Sequence, residues 1–178
     1  PAGWSSAAGS NLPVPPAAKQ SPWNNRVLLT DSSAWPRHRL PRFHQTLTAF
    51  VNELRKQGLD PAYLSIRTDK RDAHIAEHLG LEYFSCSSVE EFLSHLQTVR
   101  LLISGRFHIN VFAILCGVPY LSFEADTYKN QALNEFIKYP LSTFDFEKHS
   151  LADIGEQVNQ ALSEDSRWRN HLLTQRAI

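Results

Sequence analysis

Charge of one sign is what this chain most conspicuously lacks: 18 Lys and Arg stand against 18 Asp and Glu. A balanced chain carries no global basic field of the kind that holds nucleic acid, so no nucleic-acid partner is expected and any anion site must be local. Long apolar runs are missing too. None approaches the length of a membrane span, and no N-terminal stretch has the layout of a signal peptide. Cys86 and Cys116 are the two cysteines, in apolar or small-residue surroundings and without a C-x-x-C pair. They read as reduced, buried thiols rather than a disulfide. A cytoplasmic protein fits these absences. Methionine is absent and the chain begins at Pro1, so the sequence reads as a piece of a longer protein. Gly105 and Gly117 do not make a G-x-G-x-x-G fingerprint, which leaves a dehydrogenase-type dinucleotide site without support. There is no Ser-His-Asp elbow and no Cys-His pair at catalytic spacing.

What is present falls into two parts. Residues 1–25 are rich in Pro, Ala and Ser without periodicity and read as a linker or extended arm. Trp4 and Trp23 are unusual in a pure linker and are expected to pin the arm to a neighbouring surface. From residue 26 to 178 the pattern is one of alternating strands and helices. "RVLLT", "AYLSI", "LEYFS", "RLLIS" and "VPYLSF" are short and apolar on both faces, as strands of a sheet covered on both sides must be. Phe43, Leu47, Phe50, Val51 and Leu54 recur at helical spacing, with Gly58 to end that helix. Gly80 stops a second helix, and Ser88-x-x-Glu91 is a capping-box signature for a third. "TYKNQALNEFIKY", "SLADIGEQVNQALSE" and "DSRWRNHLLTQ" are further helices, and "STFDF" is a candidate sixth strand. With 42% hydrophobic residues there is material for one core.

Strands alternating with helices imply parallel pairing through right-handed crossovers. The expected fold is a Rossmann-like, doubly wound α/β domain with a parallel sheet of five or six strands. In the common strand order, direction reverses between the first and fourth strands, and ligands bind there, outside the carboxyl ends. The first strand leads into "DSSAWPRHR" and the fourth into "GRFH". Arg37, His38, Arg39, Arg106 and His108 are therefore expected to face one crevice. Ser104 is placed to cap the helix that starts near Arg106, and the free N–H groups of that first turn suit an anion. Arg106 adds a planar fork for carboxylate or phosphate. His108 stands close enough to exchange a proton with what is bound. The bland alternative is an Arg106 paired with a structural carboxylate and a His108 that closes the sheet end. Lys129, near the start of the next helix, shares that sheet end. Other signals carry less. His74 to His78 match H-x-x-E-H, but the helix is short, no third ligand stands out, and Ile75 and Leu79 explain its core face. "KRD" and "RWR" read as solvated faces, and Trp168 as packing for a terminal helix.

The block "VRLLISGRFHINVFAILCGVPYLSFEADTYK" resembles the C-terminal core of the polysaccharide pyruvyl transferases: a hydrophobic strand, Arg-x-His, a small-residue apolar helix, Gly-x-Pro, another strand and a downstream Lys. The resemblance runs from about Arg26 to Ile137 and takes in "SSVEEFLSHLQTVRLLIS", "AYLSI", Asp72 and Ala76. It implies one half of a GT-B-like architecture, with a missing N-terminal domain as a partner. It implies transfer of a pyruvyl group from phosphoenolpyruvate to a glycan or lipid-linked saccharide acceptor, commonly as a ketal, with no metal and no cofactor beyond the donor. Arg106 would bind the donor's phosphate or carboxylate, His108 would act as acid or base, and Lys129 would supply a further cation. Where the family often has an Arg after the first strand, this chain has Thr30-Asp31-Ser32, with Arg37 and Arg39 downstream as the substitutes. Two other readings remain at this point. One is a nucleotide-sugar glycosyltransferase domain, with Glu124 or Asp126 gripping a ribose or sugar. The other is a non-catalytic Rossmann-like binding module.

Overall fold

Five short strands, β1 (Val27–Thr30), β2 (Pro61–Ser65), β3 (Tyr83–Ser85), β4 (Leu101–Ser104) and β5 (Tyr120–Ser122), form one sheet in the order β3-β2-β1-β4-β5. This is a computed structural model, and it describes residues 14–31, 40–65, 70–124, 128–141, 143–146 and 148–175, with only the backbone for 40–43. Every pairing is parallel. The strands can be this apolar because helices flank the sheet: α1 (Leu40–Lys56), α2 (Lys70–His78), α3 (Val89–Leu96), α4 (Phe107–Cys116), α5 (Lys129–Phe136), α6 (Leu151–Ser163) and α7 (Asp165–Gln175). β1, β2, β4 and β5 are buried along their whole length. The helices pack in sets, α1 on α6, and α4 on α3, α5 and α7. None of the described helices is long and apolar enough to cross a membrane.

Expectation and structure agree element by element, with three informative differences. The candidate sixth strand contributes only an isolated parallel bridge, Phe123 to Phe144. Among the described residues the segment pairs with the β5 edge only at Phe144, whose N–H donates to Ser122 O and whose carbonyl accepts from the Glu124 N–H, while Asn134 Nδ2 on α5 donates to Leu141 O just before it and to Thr143 Oγ1. The capping box of α3 is half formed. Ser88 Oγ accepts from the N–H of Glu91, but the Glu91 carboxylate reaches back to the N–H and hydroxyl of Ser87. Arg169, in "RWR", is no solvated charge: it bonds Asp165 and the carbonyl of Val99. Trp168 beside it is buried against the terminal helices, as expected, and donates to Gln160 O.

Two glycines mark where backbone and side chain come closest. Gly117 ends α4 in the left-handed region at φ 64°, and a Cβ there would overlap Leu173 of α7. At Gly105, between β4 and α4, a Cβ would overlap the ring of Phe123. Neither cysteine is in a disulfide, and Cys116 Sγ donates to Leu93 O; burial, then the Glu91 charge, pushes the Cys86 thiol up to about 11 and keeps it protonated near neutrality.

The segment before β1 is bound to α3. Gln97 Nε2 donates to Pro15 O at 2.7 Å, Ser94 Oγ to Pro16 O at 2.9 Å, and the Ala18 N–H to Ser94 O at 3.1 Å. Trp23, 1% exposed, packs edge-on to Phe92 and against Phe84 and His95. Removing so large a buried ring is expected to cost about 3–5 kcal/mol. Urea unfolding of Trp23→Ala should show that loss, and hydrogen exchange at the Ala18 amide should accelerate ahead of the sheet amides. Unchanged protection at Ala18 would mean that Trp23 does not hold the segment.

Candidate active site at the carboxyl edge of the sheet

Every strand ends in a hydroxyl residue: Thr30, Ser65, Ser85, Ser104 and Ser122. Register aligns Thr30 with Ser104 and Ser104 with Ser122 on neighbouring strands, and Ser65 with Ser85. Where a strand stops, its last backbone groups lose their ladder partners, and a short hydroxyl can serve the turn that follows. Ser65 Oγ donates to Asp72 Oδ2 at 2.6 Å. Ser104 Oγ accepts the Arg106 N–H at 3.0 Å. Ser122 Oγ accepts from Asn134 Nδ2 at 3.0 Å and shares a proton with Thr143 Oγ1. Thr30 Oγ1 is buried with no hydrogen-bond partner among the described residues, at the switch point between β1 and β4.

Arg106 is the N-cap of α4, in extended conformation (φ −94°, ψ 113°), and its side chain makes no capping hydrogen bond. Ser104 therefore does not act as the cap expected of it, because its hydroxyl is held by the Arg106 amide two residues on. The guanidinium lies across the ends of β1 and β2. Nε donates to Asp31 O at 2.7 Å, and Nη2 bonds both oxygens of Asp72 at 2.9 and 2.8 Å. Asp72, in the first turn of α2, is 1% exposed and the Arg106 side chain 17%. The carboxylate that neutralises Arg106 thus comes from inside the fold. Among the described residues Nη1 has no partner, leaving one edge of the fork open. Asp31, also 1% exposed, is held from three sides: Arg71 Nη2 donates to its Oδ2 at 2.9 Å, its N–H donates to the Tyr63 hydroxyl, and its carbonyl accepts from Arg106. Burial, then the charges of Asp31 and Asp72, raises the pKa of Tyr63 so that its hydroxyl stays protonated.

His108, two residues on, is exposed on the first turn of α4. Lys129 opens α5 and is exposed as well. Their helices are joined at this edge, because Asn110 Nδ2 donates to Asn130 Oδ1 at 3.0 Å and Asn130 Nδ2 donates to the carbonyls of Gly105 and Phe123. Arg106, His108 and Lys129 therefore share the carboxyl edge, while Arg37, His38 and Arg39 lie outside the described residues. Glu124 is engaged by Lys148 at 3.6 Å, and Asp126 lies outside the described residues. His74 and Glu77 are paired on the solvent side.

Several members of this site were not found in the sequence. Asp72 and Arg71 belong to "KRD", read as a solvated face, yet Asp72 is buried under Arg106. The hydroxyl at each strand end and the Asn130–Asn134 pair, spaced one helical turn apart, were visible signals that went unused. Buried Asn on the inner face of an otherwise ordinary helix marks a polar surface to be satisfied, here the ends of β4 and β5.

A five-stranded parallel sheet with a helix start at its switch point defines a Rossmann-like α/β domain. The family model for polysaccharide pyruvyl transferase matches residues 13–127, and the chain belongs to that family. Among solved structures, the glycotransferase of kitacinnamycin is 16% identical with a TM-score of 0.57, over 90% of this chain and 40% of that one. A putative UDP-N-acetylglucosamine 2-epimerase from Listeria monocytogenes is 15% identical with a TM-score of 0.58, over 85% and 39%. The O-GlcNAc transferase of Thermobaculum terrenum is 14% identical with a TM-score of 0.58, over 94% and 35%. These likenesses show the fold, that of a domain of GT-B glycosyltransferases. The chain spans about two fifths of the length of these structures. No curated protein matches it in sequence.

Removing one partner of a buried, hydrogen-bonded ion pair leaves a charge uncompensated and costs about 3–5 kcal/mol. Asp72→Ala should therefore unfold at markedly lower urea than the wild type. Glu77→Ala, on the exposed face of the same helix, should shift the midpoint by no more than about 0.5 kcal/mol. Similar midpoints for the two variants would show that Arg106 does not depend on Asp72.

Proposed function

We propose that this chain carries the donor side of an enzyme that transfers the pyruvyl group of phosphoenolpyruvate to a sugar of a polysaccharide or glycan precursor, the acceptor being a glycan or lipid-linked saccharide. The observation that carries this reading is the exposed His108 on the first turn of the helix whose N-cap is Arg106, at the carboxyl edge of the sheet. Phosphoenolpyruvate concentrates a phosphate and a carboxylate on three carbons, and cations with helix N–H groups suit it. The open Nη1 edge of Arg106, the first-turn N–H groups of Phe107 and His108, and the exposed Lys129 supply both kinds of donor.

In ketal formation the methylene carbon of the donor gains a proton, and C2 gains a bond to each of two sugar oxygens. Each oxygen loses its proton, and the C2–O bond to phosphate breaks to release inorganic phosphate. A proton must therefore be delivered and others removed near neutral pH, which an imidazole can do. His108 takes that role, as acid or base. Arg106, whose charge is matched by Asp72, contributes direction more than net charge, and Lys129 contributes the charge. Arg37 and Arg39 complete the donor side from the loop after β1. The acceptor site belongs to a preceding domain, a GT-B-like partner half, consistent with the two-fifths coverage of solved relatives.

Thermal-shift titration with phosphoenolpyruvate tests donor recognition directly, because a ligand that binds the native state raises its melting temperature. His108→Gln keeps the size of the side chain but cannot titrate. In the enzyme containing both halves it should lower turnover by about 100-fold or more while leaving melting temperature and donor binding nearly unchanged. Near-wild-type turnover would remove His108 from the proton transfers.

A further inference from the structure

One cation at this edge has no part in the roles above. Arg71 stands in the first turn of α2, immediately before Asp72. Its guanidinium bonds the Asp31 carboxylate at 2.9 Å, and the two ends differ sharply in exposure, 41% for the Arg71 side chain and 1% for Asp31. A buried carboxylate that holds a half-exposed guanidinium orients it: the inner end cannot let go without baring a charge in the interior. Asp31 is itself immobilised by Tyr63 and Arg106. Arg71 and Arg106 consequently meet on one residue at the switch point, Asp31, the first through its carboxylate and the second through its carbonyl.

The four charges are layered. Both carboxylates lie at 1% exposure, whereas the guanidiniums above them are 17% and 41% exposed. The cluster sums to zero, but its positive side faces outward, and a ligand arriving from solvent meets the cations first.

We propose that Arg71 is a further anion-holding residue of this crevice, acting beside Arg106 on a small ligand with two separate anionic groups. This rests on the pyruvyl-donor reading: a carboxylate and a phosphate ester on one three-carbon frame need two cationic positions, and a planar fork fits either group.

Isothermal titration calorimetry with phosphoenolpyruvate, and separately with inorganic phosphate, tests this on the wild type, Arg71→Gln, Arg71→Lys and Arg167→Gln, with urea unfolding measured on each. Arg167 is a control, 70% exposed and paired with Glu164 away from the sheet edge. Arg71→Gln should weaken phosphoenolpyruvate binding by about tenfold or more, the value of a lost charged hydrogen bond. Arg71→Lys retains a charge opposite Asp31 and so protects the fold, and it should bind several-fold more weakly for want of the fork. Arg167→Gln should bind like the wild type. Wild-type affinity in either folded Arg71 variant overturns the proposal, as does a loss in Arg71→Lys that merely follows its unfolded fraction. If the wild type binds phosphate but not phosphoenolpyruvate, the donor reading fails while Arg71 is judged on phosphate with the same variants. Binding of neither overturns both.

Discussion

The two-oxygen contact between Arg106 and Asp72 is the interaction on which the carboxyl edge depends. It joins the turn after β4 to the first turn of α2, and through Ser65 to the end of β2. The same guanidinium reaches the carbonyl after β1. Three strand ends and one helix start are thus referred to a single planar group. Such a network is stable only when every member is satisfied, since each buried group left without a partner loses its hydration with nothing in return. Here most partners come from residues far apart in the chain, brought together by the strand order, and among the described residues Thr30 Oγ1 is the buried atom left over at the switch point.

On the other side of β4 the same problem has a neutral solution. Asn130 and Asn134 face inward from α5 and serve the carbonyls and hydroxyls around β4 and β5. Tyr120 donates its hydroxyl to Asn134 and stacks on Tyr139, whose own hydroxyl accepts the Tyr120 amide. The half of the edge that includes the switch point is built from ions, and the outer half from amides and hydroxyls. Only ions bring a strong local field, and they sit where a ligand is expected to arrive.

The fold was largely legible because its signals are local and periodic. Short two-faced apolar strands, helical spacing in α1 and glycines after the helices depend on residues within a few positions of one another. Leu47, Phe50, Val51 and Leu54 are buried as their spacing implies. The Arg106-Phe107-His108 turn was legible because strand and helix flank it directly. Asp72 as the partner of Arg106 was not, being 34 positions away, and nothing in "KRD" says which of its charges turns inward. That depends on where the end of β4 passes over α2, a property of the assembled sheet. "STFDF" failed for the complementary reason: its alternation suits a strand, but among its described residues only Phe144 reaches the β5 backbone, while Thr143 turns its hydroxyl to Ser122 and Asn134.

The layering of charge at the switch point also sets the distance over which it acts. A bare cluster of cations would project a field across a Debye length and draw anions from solution, with an encounter rate that collapses as salt rises. Cations backed by carboxylates a few ångströms beneath them form a dipole sheet, whose potential falls away much faster than that of an unpaired charge. The balanced total charge of the chain adds no long-range field to it. On the pyruvyl-donor proposal, capture of an anionic ligand by these paired cations would be governed by collision and fit, and ionic strength would act on how long the ligand stays more than on how often it arrives.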